Sequence, residues 1–511
     1  MKKIFYCCLL GITISSIGCA SEDRDDAIIN IPADTSASTT TTTTTSTPTE
    51  PVANLEINDY IWKGLNQYYY WQEEVDELAD SKTTNAAEYN TFLGSVVDPS
   101  DFFDSLNHED DRFSWIEENY VDLQNQLAGI SASNGMKFYV TRQCQTCNEL
   151  VAVVTYVLPE SDAAAKGIER GNLITSINGR DLSVENYVQL LYGDLMTYTV
   201  GLASYNQDTQ IFESTGGSVV LDKVENFQEN PIHKNIILEA GDRSVGYLMY
   251  NQFVASFDDQ LIQVFSDFAS QNITDLVLDL RYNGGGSVRT CAYLASMITG
   301  QFTNEIFAQQ LWNSKLMDYF DDLNNNSDPD DDRELNNYFT NATVDGASLP
   351  GLNLSTVYIL TTKRSASASE LLINGLAPHI NVVQIGETTV GKNVGSISIY
   401  DYIDNEGTKN PDHTYAMQPI VLKIANSEGF ADYSDGLVPN TALNEYASDL
   451  GVLGDPTENF LAAALNQISG SGRYSIPKGT SFPLMKDPTF EAKHGMHIDF
   501  PQEKYIDILK N

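Results

Sequence analysis

The sequence predicts a multidomain protein that joins an α+β part to an α/β part. Three observations carry this reading. Apolar residues recur at helical spacing over 54–127, short strand-like runs broken by turn residues fill 128–225, and apolar strands alternate with amphipathic helices over 235–465. The 511 residues exceed what one ordinary core holds and suit two to four domains.

The stretch over 1–18 reads as a signal peptide. Lys2 and Lys3 precede an apolar stretch over 4–17 that is too short for a comfortable membrane span. It ends in Ser16-Ile17-Gly18-Cys19, which resembles the lipobox of bacterial lipoproteins, with Ser16 where Leu is usual. The resemblance implies a lipid on Cys19; an ordinary signal peptide cut near Ala20 is the alternative. The acidic run over 21–26 resembles the surface-export signals of some Gram-negative lipoproteins, and ordinary linker acidity explains it as well. The Ser/Thr-rich stretch over 35–50 has nothing to bury, so 19–53 is expected to be a tether. An exported, outer-membrane-anchored lipoprotein, periplasmic or surface-exposed, is the expected location. Membrane contact would run through the lipid.

Residues 54–127 predict a helical bundle, with Ile57, Tyr60, Ile61, Leu65, Tyr68 and Tyr69 on one face and Asp111-Arg112-Phe113-Ser114-Trp115-Ile116 near its end. Strands are expected at 137–141, 150–157 and 173–177, separated by Gly167, Gly171 and Asn178-Gly179. Gly135-Met136-Lys137-Phe138 before the first strand resembles the carboxylate-binding loop of a PDZ domain. The stretch over 158–174 resembles the passage from the middle strands of that fold into its Gly-Asp turn, with Asn172 in place of the usual Asp. Such a module takes a peptide as an added strand and holds its terminal carboxylate on backbone N–H groups. Those four residues are the candidate peptide-binding site.

Over 235–465, strands at 244–253, 275–282, 356–362 and 382–386 alternate with helices at 258–270, 288–298 and 368–377, and a closing helix is expected at 460–468. Such βα alternation implies a mostly parallel sheet covered by helices. The Asp/Asn-rich insertion over 321–332 offers oxygen ligands for calcium, but no EF-hand Gly and Glu stand at the required offsets, so a solvated loop and no metal are expected. Residues 466–511 carry no assignable role.

The net charge of −41, from 70 acidic and 29 basic residues, excludes the basic footprint that nucleic-acid binding needs. Of six cysteines, Cys7 and Cys8 lie in the signal segment. Cys144 and Cys147, without a second pair for zinc, are expected to form a local disulfide, and Cys291 to be a buried thiol.

Three constellations carry chemistry. Arg364-Ser365-Ala366-Ser367-Ala368-Ser369-Glu370 lies between an apolar strand and a helix, where a hydroxyl meets the positive end of the helix; the same residues also make a capping box. Thr388-Thr389-Val390-Gly391-Lys392 offers a lysine that could act as a base if burial depressed its pKa. Asp279-Leu280-Arg281-Tyr282-Asn283-Gly284-Gly285-Gly286 ends a buried strand in glycines that permit close backbone approach and lacks the spacing of a nucleotide-binding loop.

Together these motifs resemble the C-terminal-processing (tail-specific) serine peptidases, over roughly residues 55–465. The interval from Ser367 to Lys392 matches the family's spacing between nucleophile and base, which selects Ser367 over Ser365 and Ser369. The resemblance implies a crotonase-like α/β catalytic domain, an upstream PDZ module, Ser367 as nucleophile and Lys392 as general base. It further implies an oxyanion site at Gly285, Gly286 and Ala368, and no cofactor. Substrates would be proteins or peptides with apolar C-terminal tails. Ser396 stands where many members carry a lysine-orienting Gln, and Gly284 where Pro is usual. The competing expectations are a catalytically inactive PDZ-containing lipoprotein that binds peptide tails, favoured by Ser396, and a crotonase-like acyl-CoA enzyme, disfavoured by the signal segment.

Overall fold

The computed structural model describes residues 54–325, 335–404, 406–470, 479–489 and 495–498. The signal segment, Cys19 and the tether lie outside these residues, as does 326–332 of the acidic insertion.

The helix Leu55–Tyr68 starts at Asn54, whose side chain accepts from Glu56 N and Ile57 N, and buries Ile57, Tyr60, Ile61, Leu65 and Tyr68. Helices Ala86–Leu93, Pro99–Ser105 and Tyr120–Leu127 come next, each capped by an Asn or Asp side chain. The region departs from a pure helical bundle at Trp115–Glu117, a strand paired antiparallel with Ala416–Gln418. Its partner lies far along the chain, so nothing local marks it as a strand. The helical region also shares one continuous core with the α/β part: Ile61, Leu65, Phe102 and Phe103 cluster with Leu248, Leu294 and Leu422. It is therefore packed as a wall of the α/β part.

A second β-rich region orders the strands Met136–Arg142, Leu150–Val157, Leu173–Ile177, Thr197–Asn206 and Ile211–Asp222 in one antiparallel sheet. The last two form a long hairpin that the sequence reading missed, because its polar residues carry no clear apolar alternation. Val140, Ala152, Val154, Ile174, Leu190 and Leu191 build this region's own core, closed by the helix Tyr187–Leu191. Met136–Arg142 is an edge strand of the sheet. Cys144 and Cys147 form a disulfide in the turn after it.

The α/β part is built on six strands in the order Ile232–Ala240, Arg243–Tyr250, Asp275–Asp279, Thr356–Thr361, Asn381–Gly386 and Thr441–Ala442. Only the first pair is antiparallel. Helices Asp258–Ser270, Val288–Thr299, Ala368–Leu376 and Asn459–Ser469 cover it. A second sheet orders Asn336–Tyr338, Ile306–Trp312, Ile420–Asn426 and Val394–Ser396. Arg281 is fully buried between the Asp279, Glu445 and Glu458 carboxylates, at 2.8, 3.2 and 2.8 Å, and lies 4.7 Å from the Phe460 ring centroid. The arginine of the Asp-Leu-Arg motif thus ties the central strand to the closing helix.

Candidate active site

Ser367 caps the helix Ala368–Leu376 with φ 62° and ψ −114°. A non-glycine residue held there stores backbone strain and marks a position fixed by its surroundings. Its neighbours supply that fixation. Ser365 Oγ donates to Leu280 O at 2.8 Å, and Ser369 Oγ donates to Asn283 O at 3.0 Å. Ser367 Oγ is buried, faces the Glu370 N–H in a capping box, and donates to no acceptor among the described residues. Of the three serines, two hold the turn and the third has its hydroxyl proton uncommitted.

Asn283 shapes the facing glycine turn. Its Nδ2 donates to Tyr250 O at 2.9 Å, and its Oδ1 accepts from Gly285 N at 2.8 Å. Gly285 and Gly286 have φ of 112° and 134°. A Cβ on Gly285 would lie 2.7 Å from Ser367 Cβ and 3.0 Å from Ala368 N, and one on Gly286 would collide with Phe253 O. The glycines therefore let this turn close against the serine. Of the three expected oxyanion donors, Gly285 has its N–H turned to Asn283. The N–H groups of Gly286 and Ala368 have no acceptor among the described residues.

Glu370 joins the serine turn to the lysine loop. Its Oε2 accepts from Ser367 N at 2.7 Å and from Lys392 N at 2.8 Å, and its Oε1 accepts from Thr389 Oγ1 at 2.5 Å and from Gly391 N at 2.6 Å. The carboxylate is fully buried, and burial pushes its pKa up against these four donors. The sequence reading gave Glu370 only a helix-capping role; its second pair of contacts spans the fold and leaves no local signal. Gly391 has φ 89°, and a Cβ there would collide with Ser434 O.

Lys392 is buried, and desolvation pulls its amine from 10.5 down to about 8, against the opposing charges of Asp111 and Glu370. Its Nζ lies 4.7 Å from the Phe113 ring centroid. Arg112 Nη2 donates to Gly391 O at 3.1 Å and to Ser434 O at 3.2 Å, so the stretch from Asp111 to Phe113 encloses the lysine. Ser396 lies in the strand after the lysine, but its Oγ donates to Met496 O at 3.2 Å.

The expected peptide-binding residues lie on the edge strand and the loop before it. Gly135 N donates to Ser133 Oγ at 3.0 Å and Met136 N to Asn134 Oδ1 at 3.1 Å, so both loop N–H groups are taken locally. Lys137 Nζ pairs with Glu229 at 2.5 Å. A cavity of about 410 Å³, lined by Met136, Phe138, Tyr192, Gly284 and Arg364, lies between this region and the glycine turn. Among the described residues no group of acidic, His or Cys side chains could hold a metal, and no helix is long and apolar enough to cross a membrane.

The arrangement is a serine with its hydroxyl proton uncommitted, at a helix N-terminus beside a buried lysine whose pKa approaches neutrality, the equipment of acyl transfer. Comparison with known proteins agrees. Residues 244–415 match peptidase family S41, and residues 56–115 match the peptidase S41 N-terminal domain. A carboxyl-terminal-processing protease of Picosynechococcus is 24% identical over 357 residues, covering 69% of this chain and 74% of that protein. The chloroplastic carboxyl-terminal-processing peptidase 1 of Arabidopsis thaliana is 24% identical over 260 residues, covering 48% of this chain and 45% of that protein. The crystal structure of a protein assigned as an S41 protease from Bacteroides fragilis superposes with a TM-score of 0.61 at 26% identity, covering 81% of this chain and 98% of that one. The chain thus carries a peptidase family S41 domain with that family's N-terminal domain ahead of it, and is a serine peptidase similar to the carboxyl-terminal-processing proteases.

Proposed function

We propose that the protein is an endopeptidase working through a Ser367–Lys392 dyad. The observation that carries this is the pairing of a buried Ser367 hydroxyl that donates to no acceptor among the described residues with a buried lysine whose pKa is lowered to about 8, both held by one glutamate. Neutral Lys392 takes the hydroxyl proton as Ser367 Oγ attacks the scissile carbonyl. The N–H groups of Gly286 and Ala368 receive the developing oxyanion, and the protonated lysine then returns its proton to the leaving amine. Water hydrolyses the acyl-enzyme in the second half. No cofactor is needed for these steps. Ser396 is a candidate third member, to be tested by Ser396→Ala.

The substrates of this reading are proteins whose apolar C-terminal tails add as a strand to the edge Met136–Arg142, in a PDZ-like module upstream of a crotonase-like catalytic part. Support comes from the edge position of that strand, the apolar helix beside it and the cavity leading toward the glycine turn. Export and lipid attachment at Cys19 complete the reading and rest on the sequence motif. Labelled-lipid incorporation that Cys19→Ser abolishes is the matching test.

The activity test incubates the chain with an unfolded protein ending in an apolar tail. Cleavage by the parent, lost in both Ser367→Ala and Lys392→Ala, is expected. Unchanged cleavage in either variant would contradict the dyad, and binding without cleavage in all three would favour a peptide-binding lipoprotein.

A further inference from the structure

We infer that two stretches near the end of this chain, 479–489 and 495–498, are tethered occupants of the peptide groove and the catalytic cleft, and that an incoming substrate must displace them. The inference rests on the peptidase reading above and adds the ligand chemistry of the groove.

The first stretch is an added strand. Leu484 pairs antiparallel with Thr141; Arg142 N donates to Pro483 O at 3.0 Å, and Met485 N donates to Val140 O at 2.9 Å. The Met485 side chain packs, partly buried, against the apolar core of the module, the cluster that includes Val140, Tyr187 and Leu190. Tyr187 donates its hydroxyl to Lys486 O at 3.0 Å. Asp487 then meets Arg364, just ahead of the serine turn, at 3.6 Å and lines the cavity that leads inward. Backbone pairing with alternate side chains in pockets is how a sheet edge takes a peptide.

The second stretch lies in the cleft. Ser396 N donates to Met496 O at 2.9 Å, and Ile498 N donates to Ser396 O at 3.1 Å. On the other side, His497 N donates to Gly286 O at 3.2 Å and Val288 N donates to His497 O at 3.2 Å. It therefore bridges the glycine turn and the strand after the lysine. Gly495 lies so close to Lys392 that a Cβ on it would collide with Nζ. These are backbone positions a substrate strand would need.

The occupant also shows what the groove accepts. The N–H groups of Gly135 and Met136 are satisfied by Ser133 and Asn134, so no terminal carboxylate is required there. The fitting partner is an extended through-running peptide with one Met-sized apolar side chain packed against the module's core. A tethered segment competes at an effective concentration of order mM, enough to weaken an external peptide of comparable affinity by roughly tenfold or more.

The test uses the full chain in three forms: parent, Met485→Pro to delete the N–H that bonds Val140, and Thr141→Cys/Leu484→Cys to lock the first stretch when oxidised. On a Ser367→Ala background, a labelled peptide with the sequence of residues 479–489 is titrated against each. Binding at least tenfold tighter to Met485→Pro is expected, as is binding at least tenfold weaker to the oxidised lock, recovered on reduction. The parent with and without reductant controls for Cys144 and Cys147. Equal affinity across the three forms would overturn the inference, and the redox-reversible lock needs no assumption about how Met485→Pro folds. With Ser367 present, cleavage should follow the same order. If no form cleaves, the peptidase reading fails while the titration still decides the occupant.

Discussion

Ser367 and Lys392 donate their backbone N–H groups to the same oxygen of Glu370, at 2.7 and 2.8 Å. One buried carboxylate thus fixes the serine turn and the lysine loop relative to each other, although a helix and a strand of the sheet separate them in the chain. Replacing it by Gln puts an amide N–H among four donors. Glu370→Gln should reduce kcat by about 100-fold, the scale of misplacing reacting groups by an ångström, with KM little changed. Steady-state kinetics on a peptide substrate checks this; a change confined to KM would contradict it.

The proposed dyad makes a prediction about pH. In the proposed dyad Lys392 must be neutral to act, so activity should rise with pH through about 8 and level off above it. Asp111 holds that pKa up, so Asp111→Asn should move the rising limb to lower pH. A limb that moves upward, or not at all, would mean that another group titrates.

The same burial predicts a stability effect. Between about 8 and 10.5 the unfolded chain keeps the lysine proton that the folded chain has lost, so folding stability rises with pH across that window. Below it, both states are protonated and the full desolvation penalty remains. Lys392→Met should therefore be more stable than the parent at about pH 7, by roughly 3 kcal/mol from the size of the shift. That advantage should fade as pH climbs toward 10.5, read by denaturant midpoints at several pH values.

Strain at Ser367 gives a second stability test. Glycine adopts φ 62°, ψ −114° without the clash a Cβ brings, so Ser367→Gly should exceed Ser367→Ala in stability by about 1–2 kcal/mol. Both should be inactive, and urea unfolding of the two variants decides the comparison.

Arg281 belongs to a different class of residue. Removing a fully buried cation leaves three carboxylates facing one another without it, so Arg281→Met should cost about 3–5 kcal/mol. A thermal midpoint equal to the parent's would contradict its anchoring role.

The main elements of the α/β part were legible because apolar strands and amphipathic helices alternate cleanly. The reading 258–270 matches the helix Asp258–Ser270, and in the β-rich region 150–157 matches the strand Leu150–Val157. Ser367 and Lys392 were singled out by the resemblance of their motifs and interval to the family's pattern. What stayed hidden depends on distant partners. Trp115–Glu117 becomes a strand only against Ala416–Gln418, and Glu370 is shared by two loops. The stretches 479–489 and 495–498 carry no periodicity of their own because their backbone bonds go to other parts of the chain. Ser396, which stands where many family members carry a lysine-orienting Gln, donates its hydroxyl to Met496 O, a partner that local sequence does not announce.

The most direct measurement is the rate at which a small activated acyl ester labels the intact chain, with the modified residue located by peptide mass. The account predicts a single label on Ser367, absent in Ser367→Ala, formed at a rate that rises through pH about 8 and falls by orders of magnitude in Lys392→Ala. A label on Ser365 or Ser369, or a Ser367 rate indifferent to Lys392, would contradict it.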